Sequence, residues 1–372
     1  MKDRSQPDEP PRRIAFFISP HGFGHAARAA SVMEALAEID SSYHFDIFTT
    51  VPQWFFANCS SFTFQYHRLL TDIGLVQKTP FQEDLPATVK KLKKLLPFNP
   101  SRIAAVAETI KHLKCKLVIC DIAPMGIQVA KKAGVPSVLI ENFTWDWIYR
   151  GYATEKLKKF DSYLKSTFSE ATYHIQTHPI CKYADVDFTA GPVSRKVKNP
   201  PGTIRQRLGL SDNCKVVMIT TGGVHKNYGF IDKLKDQTDI YFVIPGGGYA
   251  EKIQNNLILL PEKSAYYHPD LINAADAVIG KVGYSTIAEV YHAGIPFGYV
   301  ARNNYRESKP LIAFIEKNIN GFAISESEFE TGMFVRHLEK LLEVPRAKRN
   351  SPNGADQIAD YLTHQLLDQS RE

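Results

Sequence analysis

Short apolar runs alternate with longer amphipathic stretches along residues 13–190, and the same pattern restarts after residue 203. The first set of runs is "RIAFFIS", "FDIFTT", "FTFQYHRL", "KLVICD", "PSVLIE" and "YHIQT". Each has the length of a buried strand. Between them, "AARAASVMEALAEI" and "SRIAAVAETIKHL" carry apolar residues at helical spacing. In "KKAGVPSVLI", Gly134 is placed to end a helix and Pro136 to open the next strand. The second set is "KVVMITTGG", "IYFVIPGGG", "NLILLP", "DAVIGKVG" and "IPFGYVA", interleaved with "TIAEVYHAG" and "LIAFIEKNI". Such alternation predicts parallel sheets covered by helices, an α/β protein of two doubly wound, Rossmann-like domains. "TAGPVSRKVKNPPGT" breaks the pattern with prolines, glycines and basic residues and is expected to be a linker. The predicted organisation is a lead-in over 1–12, a first domain over 13–190, a linker over 191–202, a second domain over 203–345 and a terminal segment over 346–372.

The length of 372 residues agrees with two domains of roughly 150 to 190 residues. A net charge of +6 suits an anionic ligand or lipid surface, and falls well short of what nucleic-acid binding requires. Five cysteines without a C-x-x-C pair point to a reduced, cytoplasmic protein. The polar, proline-rich opening "MKDRSQPDEPPR" is expected to be disordered, and no apolar run is long enough to span a membrane. One basic amphipathic segment, "LPATVKKLKKLLPF", either rests weakly on anionic lipid or presents a solvated lysine face.

Four strand exits carry glycine clusters: "SPHGFGHAA", "TTGGVHKNYG", "IPGGGYA" and "GKVGYSTIAE". In doubly wound sheets ligands bind outside the carboxyl ends of strands, and backbone N–H groups opening the next helix cradle phosphate. Three of the four lie in the second half, so a phosphate-bearing ligand is expected there. Gly22-x-Gly24-x-x-Ala27 formally matches the dinucleotide fingerprint. Against that reading, the second strand ends "IFTT" without an acid for the ribose, and His25 would crowd the pyrophosphate. His174 and His178 sit in a strand-like context closed by Pro179, so no metal site is expected.

"HGFGHAAR", followed by "GKVGYSTIAEVYHAGIPFGYV" and "NNYRES", resembles the GT-B glycosyltransferases. The likeness is closest to the branch holding the peptidoglycan N-acetylglucosaminyl transferase and the plant and macrolide transferases. "ENFTWDWIYRGYA" is similar to a signature in the glycosyltransferase-like front half of plant arabinokinases. The resemblance implies two domains facing across a cleft, with the final helix "NGADQIADYLTHQLL" crossing back onto the first. It implies a sugar transferred from a nucleoside-diphosphate sugar, a UDP-sugar by family habit, to a hydroxyl acceptor with inversion and without a metal or cofactor. Gly283, Tyr284, Ser285 and Thr286 would face the donor diphosphate with Lys281 beside them, Gly22, Gly24, Gly222 and Gly223 would let backbone approach it, and Glu289 would hold the ribose. Glu307 falls at the sugar position, but Ser308 and Lys309 replace the second polar partner of the family. His25 stands where the family keeps its general base. Asp121 would orient it, or would instead cap the helix that follows. His21, Trp145 and Asp146 are expected on the acceptor side. The acceptor is a small molecule, glycan or lipid. An epimerase or hydrolase, or a non-catalytic nucleotide-sugar binder, would use the same fold.

Overall fold

In the computed structural model of the chain, the residues described are 12–59, 61–152, 154–211, 213–222, 228–302 and 304–367. The first set of apolar runs forms β1 (Arg12–Ile18), β2 (Tyr43–Thr49) and β3 (Thr63–Arg68). A short antiparallel ribbon follows, β4 (Gln77–Thr79) and β5 (Gln82–Glu83). The sheet resumes with β6 (Leu117–Asp121), β7 (Ser137–Glu141), β8 (Tyr173–Thr177) and β9 (Phe188–Ala190). Ribbon apart, these strands make one parallel sheet ordered β3-β2-β1-β6-β7-β8-β9.

The second set forms β10 (Lys215–Thr220), β11 (Ile240–Pro245), β12 (Lys252–Gln254), β13 (Leu257–Leu260), β14 (Ala277–Lys281), β15 (Phe297–Val300) and β16 (Gly321–Ile324). Their order is β12-β13-β11-β10-β14-β15-β16, parallel except where β12 meets β13. Both sheets bury both faces, which is why their strands are continuous apolar runs. In β1, Ile14, Phe16 and Ile18 enter one core while Ala15 and Phe17 enter the other. In β10, Val216 and Met218 oppose Val217 and Ile219 in the same way.

Strand order reverses between β1 and β6 in the first sheet and between β10 and β14 in the second. At such switch points the flanking connections leave toward opposite faces and open a crevice at the strands' carboxyl ends. Gly22, Gly222 and Lys281, at or just past the ends of β1, β10 and β14, line one cleft. The ribbon crosses it: Phe81 is buried in the second domain's core against Phe329 (centroids 5.7 Å apart), and Glu83 pairs with Arg302 at 3.3 Å. Nothing in the polar stretch around Phe81 announced this crossing.

The terminal helix Gly354–Leu362 packs on the helix Gly24–Ile39 of the first domain, placing Ala355, Ile358, Ala359 and Leu362 in its core. Tyr361 stacks on Phe188 at 4.7 Å, and Gln357 Oε1 accepts the Gly191 N–H at 2.8 Å. The basic segment forms the helix Leu85–Leu95, but Val89, Leu92, Leu96 and Phe98 face the first domain's core. Its apolar face is therefore occupied, and the lipid-contact expectation is corrected to an exposed face of Lys90, Lys91, Lys93 and Lys94.

Candidate active site

The crevice on the first domain is built where β1 hands over to the helix Gly24–Ile39. Gly22 has φ +71°, a conformation that L side chains rarely adopt, and this turns the chain into the helix. The turn sets His25 in the first helical turn, at the carboxyl end of β6 where Asp121 stands. His25 Nδ1 lies 2.9 Å from Asp121 Oδ1. Arg28, one turn further on, clamps the same carboxylate through Nε at 2.8 Å and Nη2 at 2.7 Å. Burial works against a charge on Asp121, yet Arg28 and then the hydrogen bond from His25 outweigh it and hold the carboxyl below its usual range. An ionised carboxylate only accepts, so His25 must donate from Nδ1. Donor–acceptor chemistry thereby assigns the tautomer and leaves the Nε2 lone pair for a substrate proton. Asp121 does not cap the following helix, whose N-cap is Ala123 without a side-chain bond.

His21 is set the opposite way. Its Nδ1 accepts the Leu75 N–H at 3.3 Å, so its ring proton sits on Nε2. Burial first, then the neighbouring basic groups His25, Arg302 and Lys281, push its pKa well below the ordinary histidine value and keep it neutral. The loop thus offers one imidazole that accepts a proton and one fixed to donate a hydrogen bond.

Across the cleft, Gly283 is the N-cap of the helix Tyr284–Ala293, which has no side-chain cap and no acid in its first turn. Its leading N–H groups and positive dipole end are free for an anion. Lys281 closes β14 beside them. Burial, and then the nearby Arg302, push its ammonium down to about 7, with Glu307 and Glu83 pulling the other way. Glu289, on the same helix, is bound by Arg195 Nη2 at 2.8 Å and by His268 Nδ1 at 2.8 Å. Burial opposes its charge too, but Arg195 and His268 keep it ionised below the usual carboxylate range. Ser285 Oγ donates to the Gly24 carbonyl at 2.8 Å, tying the two glycine loops together.

His21, Gly22, Gly24 and His25 line the same cavity as Gly222, Lys281, Gly283, Tyr284, Ser285, Thr286, Glu289 and Glu307. Asp121 stands directly behind His25. Gly223 lies outside the described residues. Trp145 and Asp146 are corrected: neither lines the cavity. The Trp145 indole is 1% exposed, donates to Asp72 Oδ2 at 3.2 Å, and backs the rings of His21 and His25 at 5.2 and 6.1 Å. Asp146 pairs with Arg150 at 3.4 Å. Tyr284 contributes its ring rather than its hydroxyl, which accepts the Val193 N–H at 3.1 Å, while Arg28 lies over the ring at 4.8 Å.

A family model described as glycosyl transferase family 1 matches residues 12–339. The chain belongs to this family. Among curated relatives, the L-arabinokinase of Arabidopsis thaliana is 25% identical over 357 residues, which is 94% of this chain and 34% of that protein. The chain therefore spans about a third of that relative. A UDP-N-acetylglucosamine–N-acetylmuramyl-(pentapeptide) pyrophosphoryl-undecaprenol N-acetylglucosamine transferase of Bacillus subtilis is 24% identical over 258 residues, 61% of this chain and 67% of that one. Of solved structures, the glycotransferase of kitacinnamycin aligns with TM-score 0.63 at 13% identity, covering 96% of this chain and 99% of that one. Medicago truncatula UGT71G1 complexed with UDP-glucose aligns with TM-score 0.58 at 12% identity, covering 95% and 94%. The fold is GT-B.

For this family 1 glycosyltransferase chain, sequence reasoning missed Arg28, Asn142, Arg195, Glu83 and Arg302. Arg28 carried a signal: it is one arginine among Ala26, Ala27, Ala29 and Ala30 on a helix opening, where small neighbours leave room for a buried guanidinium. Asn142, Arg195 and Arg302 come from loops and Glu83 from the short strand β5, whose courses only the fold reveals.

Proposed function

We propose that the chain transfers a sugar from a nucleoside-diphosphate sugar, a UDP-sugar first among them, to a hydroxyl acceptor with inversion at the anomeric carbon. The observation that carries this reading is the His25–Asp121 pair facing the uncapped helix start at Gly283 across one cleft. The helix N–H groups and Lys281 hold the diphosphate, Glu289 the ribose and Glu307 the sugar hydroxyls. The acceptor oxygen attacks the anomeric carbon as its proton passes to His25 Nε2, and the bond to the diphosphate oxygen breaks on the opposite face. Asp121 stabilises the imidazolium that forms. The leaving diphosphate takes its charge stabilisation from fixed N–H groups and Lys281. The nucleotide sugar is a co-substrate, and the reading invokes no metal or further cofactor. No described helix is long and apolar enough to cross a membrane. A cytoplasmic enzyme is the matching proposal.

Lys281 supplies the test of the donor seat. Its ammonium titrates at about 7 in the free protein, and a bound diphosphate raises that value. Donor affinity is then greatest below about pH 7 and falls as pH rises above it, by up to about tenfold per unit until the bound-state value is passed. Calorimetry with UDP-glucose or another intact UDP-sugar between pH 6.5 and 8.5 is expected to show this slope and proton uptake. Lys281→Met should remove both. A pH-independent affinity, or a slope surviving in Lys281→Met, would move the diphosphate away from this helix start.

A further inference from the structure

Asn142 is the first residue past β7, and its side chain is completely buried. Its Oδ1 accepts from Arg28 Nη1 at 2.8 Å, and its Nδ2 donates to Glu307 Oε1 at 3.0 Å. Its Nδ2 also lies 3.6 Å from Cys181 Sγ. Arg28 can only donate, and an ionised Glu307 can only accept. The amide is therefore locked in one orientation, since a flip would set donor against donor and acceptor against acceptor. The other end of Arg28 holds Asp121, which holds His25. A continuous hydrogen-bonded chain thus runs His25–Asp121–Arg28–Asn142–Glu307. Four members belong to the first domain. The fifth belongs to the second, on the loop opening the helix Ser308–Asn318.

Every link is shielded from water: Arg28 and Asp121 are 1% exposed and Glu307 is 5% exposed. Buried polar chains are strong when complete and costly when broken, so the arrangement favours one geometry over loosened ones. The second Glu307 oxygen is 3.9 Å from Arg302 Nη2, a loose contact, and Glu307 lines the cleft. One oxygen is spent on Asn142 and the other is left for a ligand.

We infer that Asn142 is a positioning residue that couples the sugar seat on the second domain to the base on the first, by holding Glu307 and Arg28 in one register. This rests on the reading of His25 as base and Glu307 as sugar contact. The charged and titratable groups about His25 are Asp121, Arg28 and His21, with the Tyr284 ring packed beyond Arg28. Asn142→Asp keeps the acceptor for Arg28 but turns a carboxylate toward Glu307. Asn142→Ser removes both bonds without adding charge.

The experiment uses the full chain, with UDP-glucose and UDP as probes unless another nucleotide is the one wild type accepts. In both variants affinity for the sugar nucleotide is expected to fall by about tenfold or more, while affinity for the plain nucleoside diphosphate stays within about twofold. In Asn142→Ser, turnover at saturating sugar nucleotide should fall as well, because Arg28 loses the acceptor that helps it hold Asp121 against His25. A residue that merely supports the fold would weaken both ligands together. A folded variant with unchanged sugar discrimination overturns the inference. A wild type that binds no sugar nucleotide overturns the underlying functional reading instead. If Asn142→Asp fails to fold, discrimination in Asn142→Ser decides alone.

Discussion

Substituting alanine for His25 is expected to lower transfer by about 10²- to 10⁴-fold while leaving affinity for the nucleotide sugar within about twofold. The imidazole is the first-domain group in the cleft whose free nitrogen is assigned as an acceptor, because Asp121 holds Nδ1 as the donor. His21 cannot substitute, since its own Nδ1 is occupied by the Leu75 N–H and its Nε2 carries the proton. The proposed function puts the diphosphate seat on the other domain, which is why binding and turnover should separate. Asp121→Asn should also be slow, because an amide can present an N–H to Nδ1 and favour the wrong tautomer. Initial rates and calorimetry on the same preparations check both statements. A His25→Ala variant keeping more than about a tenth of the wild-type rate would remove His25 from the proton transfer.

Arg28→Met is expected to cost stability on the scale of a broken buried ion pair, about 3–5 kcal/mol. The wild-type pair is nearly dry, with side-chain exposures of 1% and 2%. Methionine fills much of the volume but leaves Asp121 with His25 alone. Asp121 is held low in the wild type, so it contributes stability above its unfolded value near 3.9, lost as pH falls through the lower folded value. In the variant, burial without Arg28 drives Asp121 upward instead. The deficit is then largest near neutral pH and shrinks as acid protonates the carboxyl. Urea midpoints at pH 7.5 and pH 5 measure this directly, and an equal deficit at both values would mean the loss is one of packing.

The parts of the protein that the chain pattern made legible are those governed by local physics. Strands buried on both faces had to be apolar runs, and glycines had to mark their exits, so the sheets and the cleft-facing loops could be placed. His25 and the Gly283 helix start are read from such exits. Asp121 is placed too, but its choice between capping a helix and holding His25 depended on which strand lies beside β1. That is a long-range fact, fixed only by the sheet order. Trp145 misled because an aromatic past a strand end can line a cleft or back it, and the difference lies in the direction the following helix takes. Asn142 and Arg302 are polar residues in loops with no periodicity to follow. Phe81 sits in a turn that looks exposed until the second domain arrives to cover it. What stayed hidden is what one domain does to the other.

The measurement that bears most directly on the central claim follows the anomeric proton. An α-linked nucleotide sugar that the wild-type protein binds is incubated with it and a pool of hydroxyl acceptors, and time-resolved ¹H NMR records the first product formed. A single displacement assisted by His25 requires β-configured product at early times, before any mutarotation, and its loss in His25→Ala. Product that first appears with the donor's own configuration, or no consumption of a donor that demonstrably binds, would contradict inverting transfer in this cleft.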